Sequence, residues 1–119
     1  MASCKNGRSM PETITILYVD DERALLDLGK VFLEETGRFR VDTSISARSA
    51  LSILQIKEYD AILSDYQVPG MDGIDFLKTV RASGNTIPFI LFTGKGREEI
   101  VIQALNEGAD FYLQKGGDP

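Results

Sequence analysis

Short apolar runs, separated by longer stretches of helical periodicity, organise this chain of 119 residues. Four of the runs are nearly continuous, as in strands that are buried on both faces of a parallel sheet. The remaining run alternates and carries more charge, which is typical of a strand at the edge of a sheet. The four continuous runs lie near 14–19, 61–64, 87–92 and 111–113, and the alternating run spans 38–43.

The stretches between the runs have apolar positions at helical spacing, and each predicts one helix. The first places Leu25, Leu28 and Phe32 on one face, with Asp21 positioned to cap its start and Gly37 just past its end. We expect the apolar stripes of all four helices to be core. The predicted helices span 22–35, 46–57, 73–82 and 97–106. The stripes of the last three are Ala47, Ala50, Leu51 and Leu54; Leu77 and Val80; and Ile100, Val101, Ala104 and Leu105.

Strands and helices alternate along the chain, so the sequence predicts an α/β protein with one parallel sheet and helices on both faces. The flavodoxin-like, doubly wound strand order 2-1-3-4-5 fits best, because it places the charged second strand at the edge. Asp118 and Pro119 are good residues to start a helix, so we expect a fifth helix that is truncated. Residues 1–12 lack an apolar run and predict a flexible tail ahead of a single domain over 13–119.

Composition and charge exclude several classes of function. The net charge of −5 argues against a nucleic-acid-binding surface, which is normally basic. No window approaches the ~18 consecutive apolar residues of a membrane span, and the first residues do not form a secretory signal, so a cytoplasmic location without membrane contact is expected. The chain contains no histidine, which excludes Ser-His-Asp and Cys-His nucleophiles and the usual zinc sites. A metal here should therefore be bound by oxygen.

Polar residues stand at the ends of four predicted strands. Asp20 and Asp21 follow the first strand, Asp65 the third, Thr93 the fourth and Lys115 the fifth. Taken singly, each fits an ordinary role as a loop acid, a turn hydroxyl or a surface lysine. In a parallel sheet, however, these ends share one edge, where ligands bind. Clustered carboxylates repel one another unless a cation is present, so the pattern predicts a site for Mg²⁺ or Mn²⁺.

A hard cation, a hydroxyl and an ammonium around a carboxylate make a site for phosphoryl transfer to that carboxylate. The acid acts as the nucleophile and becomes an aspartyl phosphate. The cation bridges the nucleophile and the phosphoryl oxygens and offsets the developing charge. The Lys115 ammonium could pair with Asp65 or with a phosphoryl oxygen, and the Thr93 hydroxyl could donate to the same group.

With these motifs the chain resembles the receiver domain of two-component response regulators, over roughly 13–119. The resemblance rests on the motifs ILYVDDE, SDYQVPGMDG, FTG and FYLQK. It implies that Asp65 is the phosphoacceptor, charged by a partner histidine kinase or phosphotransfer protein. It also implies that Asp20, Asp21, Asp65 and the backbone carbonyl of Gln67 hold the metal ion.

The resemblance further implies a signalling switch rather than a turnover enzyme. Thr93 and Lys115 would bind the phosphoryl group, and movement of Thr93 would let the aromatic switch residue Tyr112 turn inward. Homodimerisation on phosphorylation is an expected consequence. Gly116 follows Lys115 where the family has proline in a cis bond, so either that bond is trans and the loop differs, or the loop stores strain.

Two other readings of the residues remain open. A phosphatase of the haloacid dehalogenase type uses the same groups, but its nucleophile follows the first strand in a D-x-D-x-[TV] motif. Here that stretch reads D-D-E-R, and the candidate nucleophile comes later. A degenerate receiver that serves only for docking is the second alternative, and the complete set of pocket residues argues against it.

Overall fold

A five-stranded parallel sheet forms the centre of the computed structural model, which describes residues 13–68, 70–94 and 98–114. The strand order is β2-β1-β3-β4-β5, so the predicted doubly wound fold is confirmed. The strands are β1 (Ile14–Val19), β2 (Phe39–Ser44), β3 (Ala61–Asp65), β4 (Phe89–Thr93) and β5 (Phe111–Gln114). The helices of the described ranges are α1 (Arg23–Glu34), α2 (Ala47–Leu54), α3 (Gly73–Ala82) and α4 (Glu98–Asn106). The expected tail and fifth helix lie outside these ranges.

Apolar cores lie on both faces of the sheet, as a parallel sheet requires. The larger core joins β1, β3 and β4 to the inner faces of α2, α3 and α4, and includes the fully buried Leu17, Phe76 and Leu91. The smaller core lies under α1 and includes Ile16 and Val41. Together these contacts fix the carboxyl ends of β1, β3 and β4 relative to one another. Within the described ranges, no helix combines the length and the apolar character needed to span a bilayer.

Helix α1 contacts the sheet through a different stripe from the predicted one. Leu26 and Leu33 pack into the smaller core. Leu28 and Phe32 are 66% and 70% exposed, so their predicted place in the core is wrong. The helix has two apolar stripes about 100° apart, and the one that meets the sheet includes Gly29.

Gly29 determines which stripe faces the sheet, because the Tyr18 ring lies directly beneath it. A Cβ atom at position 29 would lie 2.7 Å from Tyr18 Cε2. The ring has little room to retreat, since Tyr18 is buried and contacts Phe92 edge to face, with centroids 5.8 Å apart. Glycine inside a helix costs about 1 kcal/mol relative to alanine. At position 29 the absence of a Cβ atom leaves room for the Tyr18 ring.

We expect Gly29→Ala to destabilise the protein by about 1–2 kcal/mol, because overpacking outweighs the gain in helix propensity. In a Tyr18→Leu background the added methyl group no longer meets an aromatic ring. There the same change should stabilise the protein by up to about 1 kcal/mol. Urea unfolding of the four proteins of this double-mutant cycle measures both values. An equal effect of Gly29→Ala in the two backgrounds would show that the ring does not require the glycine.

Several helix termini, one strand limit and one core position differ from the sequence predictions. α2 ends at Leu54 rather than at residue 57. Ser46 accepts a hydrogen bond from the backbone N–H of Ser49 and caps α2. The N-cap of α1 is Glu22 rather than Asp21, and its side chain makes no capping hydrogen bond. In α4, Leu105 is 45% exposed and does not belong to the core. β4 begins after Pro88, since proline cannot donate to a ladder.

Candidate functional site

Three carboxylates meet at the carboxyl edge of the sheet. Asp20 follows β1, and Asp65 is the last residue of the neighbouring β3. One carboxylate oxygen from each of Asp20, Asp21 and Asp65 lies within 4.8 Å of the other two. Asp20 and Asp65 are buried, whereas Asp21 is exposed. The arrangement suits a hard cation that is reached from solvent on the Asp21 side.

The buried carboxylate of Asp20 also fixes the chain that leaves β1. Its Oδ1 accepts a hydrogen bond of 3.0 Å from the backbone N–H of Glu22. The backbone N–H of Asp20 donates to the carbonyl of Ser44 at 3.1 Å, which continues the β1–β2 ladder by one residue. Asp20 is therefore held at both backbone and side chain, and one of its carboxylate oxygens belongs to the acidic cluster.

A hydroxyl group lies at the end of the next strand. β3 and β4 pair so that Asp65 is opposite Phe92, and Thr93 is the next residue of β4 after Phe92. The backbone N–H of Tyr66 donates to the Phe92 carbonyl at 2.9 Å, which extends the pairing past the cluster. Thr93 is 2% exposed, and its Oγ1 has no hydrogen-bond partner among the described residues. A buried hydroxyl without a hydrogen bond lowers the stability of the folded protein unless a ligand or a rearrangement supplies a partner.

The start of α3 is pressed against the end of β3. Gly73 donates its backbone N–H to the Tyr66 carbonyl at 2.7 Å. A Cβ atom at position 73 would lie 2.6 Å from the Asp65 carbonyl oxygen and 2.8 Å from Leu91 Cδ1. The side chain of Asp72 caps this helix by accepting from the backbone of Asp75 at 2.9 Å. The glycine therefore allows α3 to begin close enough to support the backbone of Asp65.

An open groove of about 410 Å³ lies beside the acidic cluster. It shares Asp21 with the cluster, so a small molecule entering the groove would reach the three carboxylates. Gln67, whose backbone carbonyl is a predicted metal ligand, lies in the wall of the groove. The residues that line it are Asp21, Tyr66, Gln67, Val68 and Asp72.

Tyr18 connects the cluster to the core under α1. Burial raises the pKa of Tyr18 to about 12, and the nearby carboxylates of Asp20, Asp65 and Glu22 add to the effect. The phenol therefore stays neutral at physiological pH. A neutral ring in the smaller core therefore lies near the acids without adding a charge.

Two predicted site residues lie further along the chain. Tyr112 is 46% exposed and pairs with Leu91, two positions before the β4 residue Thr93. Side chains paired in this register share a sheet face, so Tyr112 and Thr93 are diagonal neighbours on adjacent strands. Lys115 and Gly116 lie outside the described residues.

Sequence reasoning missed the contributions of Gly73 and Tyr18. Both stand inside motifs that were recognised, GMDG and ILYVDDE. A glycine directly after a helix-capping aspartate was the available signal for Gly73, since glycine has low helix propensity and requires a reason to begin a helix. For Tyr18 the signal was a polar tip at a strand position that otherwise reads as fully buried.

The comparisons with known proteins agree on one family. The model of the response regulator receiver domain matches residues 16–119. The chain is 35% identical over 112 residues to response regulator Rre1 of Synechocystis, covering 92% of this chain and 48% of the relative. It is 35% identical over 104 residues to response regulator SaeR of Staphylococcus aureus, covering 87% and 45%. The chain therefore spans about half the length of these curated relatives.

A solved structure gives the same result for the fold. The receiver domain of the Francisella response regulator 1452 superposes with a TM-score of 0.83 at 28% sequence identity. The match covers 89% of this chain and 87% of that domain. The likeness therefore extends over the sheet and its helices, and not to one motif alone.

Proposed function

This chain belongs to the response regulator receiver domain family, and on that premise we propose that Asp65 accepts a phosphoryl group from a histidine kinase or phosphotransfer protein. Receiver domains of this family act in two-component signalling. The observation that carries the proposal is the cluster of Asp20, Asp21 and Asp65, within 4.8 Å, beside a buried Thr93 hydroxyl without a described partner. The proposal assigns the reacting group, the cation site and the oxygen donor to separate residues.

The chemistry assigned to Asp65 is a group transfer. A carboxylate oxygen of Asp65 attacks the phosphorus of a phosphohistidine, the P–N bond breaks, and the leaving imidazole takes up a proton. The chain contains no histidine, so the donor must be a separate segment or partner. A bound Mg²⁺ or Mn²⁺, held by the three aspartates and the Gln67 carbonyl, would offset the charge that develops on the phosphoryl oxygens.

Thr93 is proposed to donate its hydroxyl hydrogen to a phosphoryl oxygen once the acyl phosphate has formed. The transfer places new negative charge beside a buried hydroxyl that is otherwise unsatisfied among the described residues, so the two groups should move together. Lys115 is assigned the ion pair with the phosphoryl group. Tyr112, diagonal to Thr93 on the same sheet face, is proposed to turn inward when Thr93 moves.

These assignments describe a switch that reacts once per signal rather than an enzyme that turns over. The activities and partners of longer relatives, including any phosphorylation-dependent dimerisation, remain proposals for this chain. The net charge of −5 favours a protein partner over nucleic acid for the domain itself. The cytoplasmic location expected from the sequence stays a prediction.

The proposed function is tested by incubating the protein with acetyl phosphate, with and without Mg²⁺, and counting phosphoryl groups by intact mass. We expect one group per chain in the presence of Mg²⁺, and none on Asp65→Asn. Asp75→Asn is the matched control, because Asp75 is an exposed aspartate on the neighbouring helix α3 and should label like wild type.

Two outcomes would favour the alternative readings. Continuous release of phosphate from a generic phosphate ester, without a labelled chain, would support a phosphatase. A folded protein that never labels, although Mg²⁺ and acetyl phosphate are present, would support a receiver that serves only for docking.

A further inference from the structure

Strand β2 forms one edge of the sheet, where backbone groups face away from the neighbouring strand. The carbonyls of Arg38 and Ser44 accept hydrogen bonds from Ile14 and Asp20, so the even-numbered residues of this segment point toward β1. Successive residues of a strand direct their N–H and C=O groups to opposite sides. The backbone of Val41, at the middle of β2, therefore points outward at the open edge.

Both outward groups of Val41 are bound by side chains from α1. Its N–H donates to Glu34 Oε2 at 2.9 Å, and its carbonyl accepts from the Lys30 ammonium. Lys30 and Glu34 also pair with each other at 3.3 Å. The Val41 N–H is the largest cause of the lowered pKa of the Glu34 carboxyl, and Lys30 and Arg40 lower it further. We call this arrangement of Lys30, Glu34 and Val41 the edge clasp.

The edge clasp is more than an ordinary pair of charges on a helix. A lysine that precedes a glutamate by four residues is the weaker order for helix stabilisation, and such surface pairs contribute little. Lys30 and Glu34 are 42% and 34% exposed at their side chains, so much of each is turned toward the strand. Their specific contacts are the two backbone groups that a further strand would need.

We propose that the edge clasp closes β2 against strand addition by a second copy of this chain. An unpaired edge strand is a template for pairing, and two copies of β2 would meet antiparallel about a twofold axis. By occupying the central N–H and C=O, α1 leaves an incoming strand without the hydrogen bonds around which the ladder would form. This inference concerns the edge opposite β5 and does not depend on phosphorylation of Asp65.

Hydrogen exchange of the Val41 amide tests the clasp directly. Glu34→Ala should speed this exchange about ten-fold while leaving the amides inside α3 unchanged. Glu34→Gln keeps an acceptor oxygen and should exchange close to the wild-type rate. Glu35→Ala, which removes the exposed acid one position later, is the matched control and should have no effect. Unchanged Val41 exchange in Glu34→Ala would overturn the proposal.

Sedimentation velocity over a range of concentrations tests the consequence for association. The double variant Lys30→Ala/Glu34→Ala should form dimers at concentrations at which wild type is monomeric. Adding Thr43→Pro, which removes an outward N–H on the same edge, should return the double variant to monomers. The proposal fails if the double variant stays monomeric, or if its association persists unchanged with Thr43→Pro.

Discussion

Gly73→Ala is expected to lower the free energy of unfolding by about 2–3 kcal/mol, the upper part of the range for overpacking. The added methyl group would meet the Asp65 carbonyl oxygen at 2.6 Å and Tyr66 Cα at 2.9 Å. Backbone atoms in a sheet cannot swing aside as the end of a flexible side chain can. The start of α3 must therefore move away from β3, and the support of Asp65 moves with it. Urea unfolding measures the loss.

Gly94→Ala provides the matched control for this change. Gly94 directly follows Thr93 at the same edge of the sheet, and apart from its chain neighbours no atom of the described residues lies within 4 Å of a Cβ atom there. The control should unfold within about 0.5 kcal/mol of wild type, as substitutions without new contacts do. A Gly73→Ala protein that unfolds at the same urea concentration as Gly94→Ala would contradict the close packing of α3 on β3.

Removal of a cluster carboxylate is expected to remove most of the stabilisation by Mg²⁺. A cation that binds only the folded protein should raise the free energy of unfolding of wild type by about 2.7 kcal/mol at 100 times its dissociation constant. Asp20→Asn replaces a fully buried carboxyl group of the cluster with an amide and should lose most of this increment. Thermal unfolding in EDTA and in saturating Mg²⁺ measures the increment for each protein.

Asp27→Asn controls for the change in net charge, since it removes an exposed aspartate on α1 that is not part of the cluster. Its Mg²⁺ increment should equal that of wild type. Equal increments for Asp20→Asn and Asp27→Asn would contradict a cation site at the three aspartates and would point to weak, nonspecific binding at the acidic surface.

The sheet and the acidic cluster could be predicted because each depends on a local signal with a topological consequence. Continuous apolar runs mark buried parallel strands, and the right-handed connections then place Asp20 and Asp65 on adjacent strand ends. No contact between distant side chains was needed for that step. The same reasoning placed Thr93 beside Asp65 on the next strand.

The orientation of α1, its cap and the edge clasp could not be predicted, because they depend on distances between residues that a sequence pattern does not contain. Two apolar stripes of α1 were both compatible with helical spacing, and the choice between them rests on the Tyr18 ring beneath Gly29. Asp21 was a reasonable cap by type, but its carboxylate belongs to the cluster and Glu22 takes the cap position. The edge clasp brings two helix side chains to one strand residue, which no spacing along α1 could indicate.

The role of Asp65 as phosphoryl acceptor can be tested by locating the label within the chain. After reaction with acetyl phosphate and Mg²⁺, borohydride reduces an aspartyl phosphate to homoserine, and peptide mass spectrometry identifies the converted residue. We expect homoserine at position 65 in wild type and at no cluster position in Asp65→Asn. Conversion at Asp20 or Asp21 in wild type, or equal labelling of Asp65→Asn, would contradict this role.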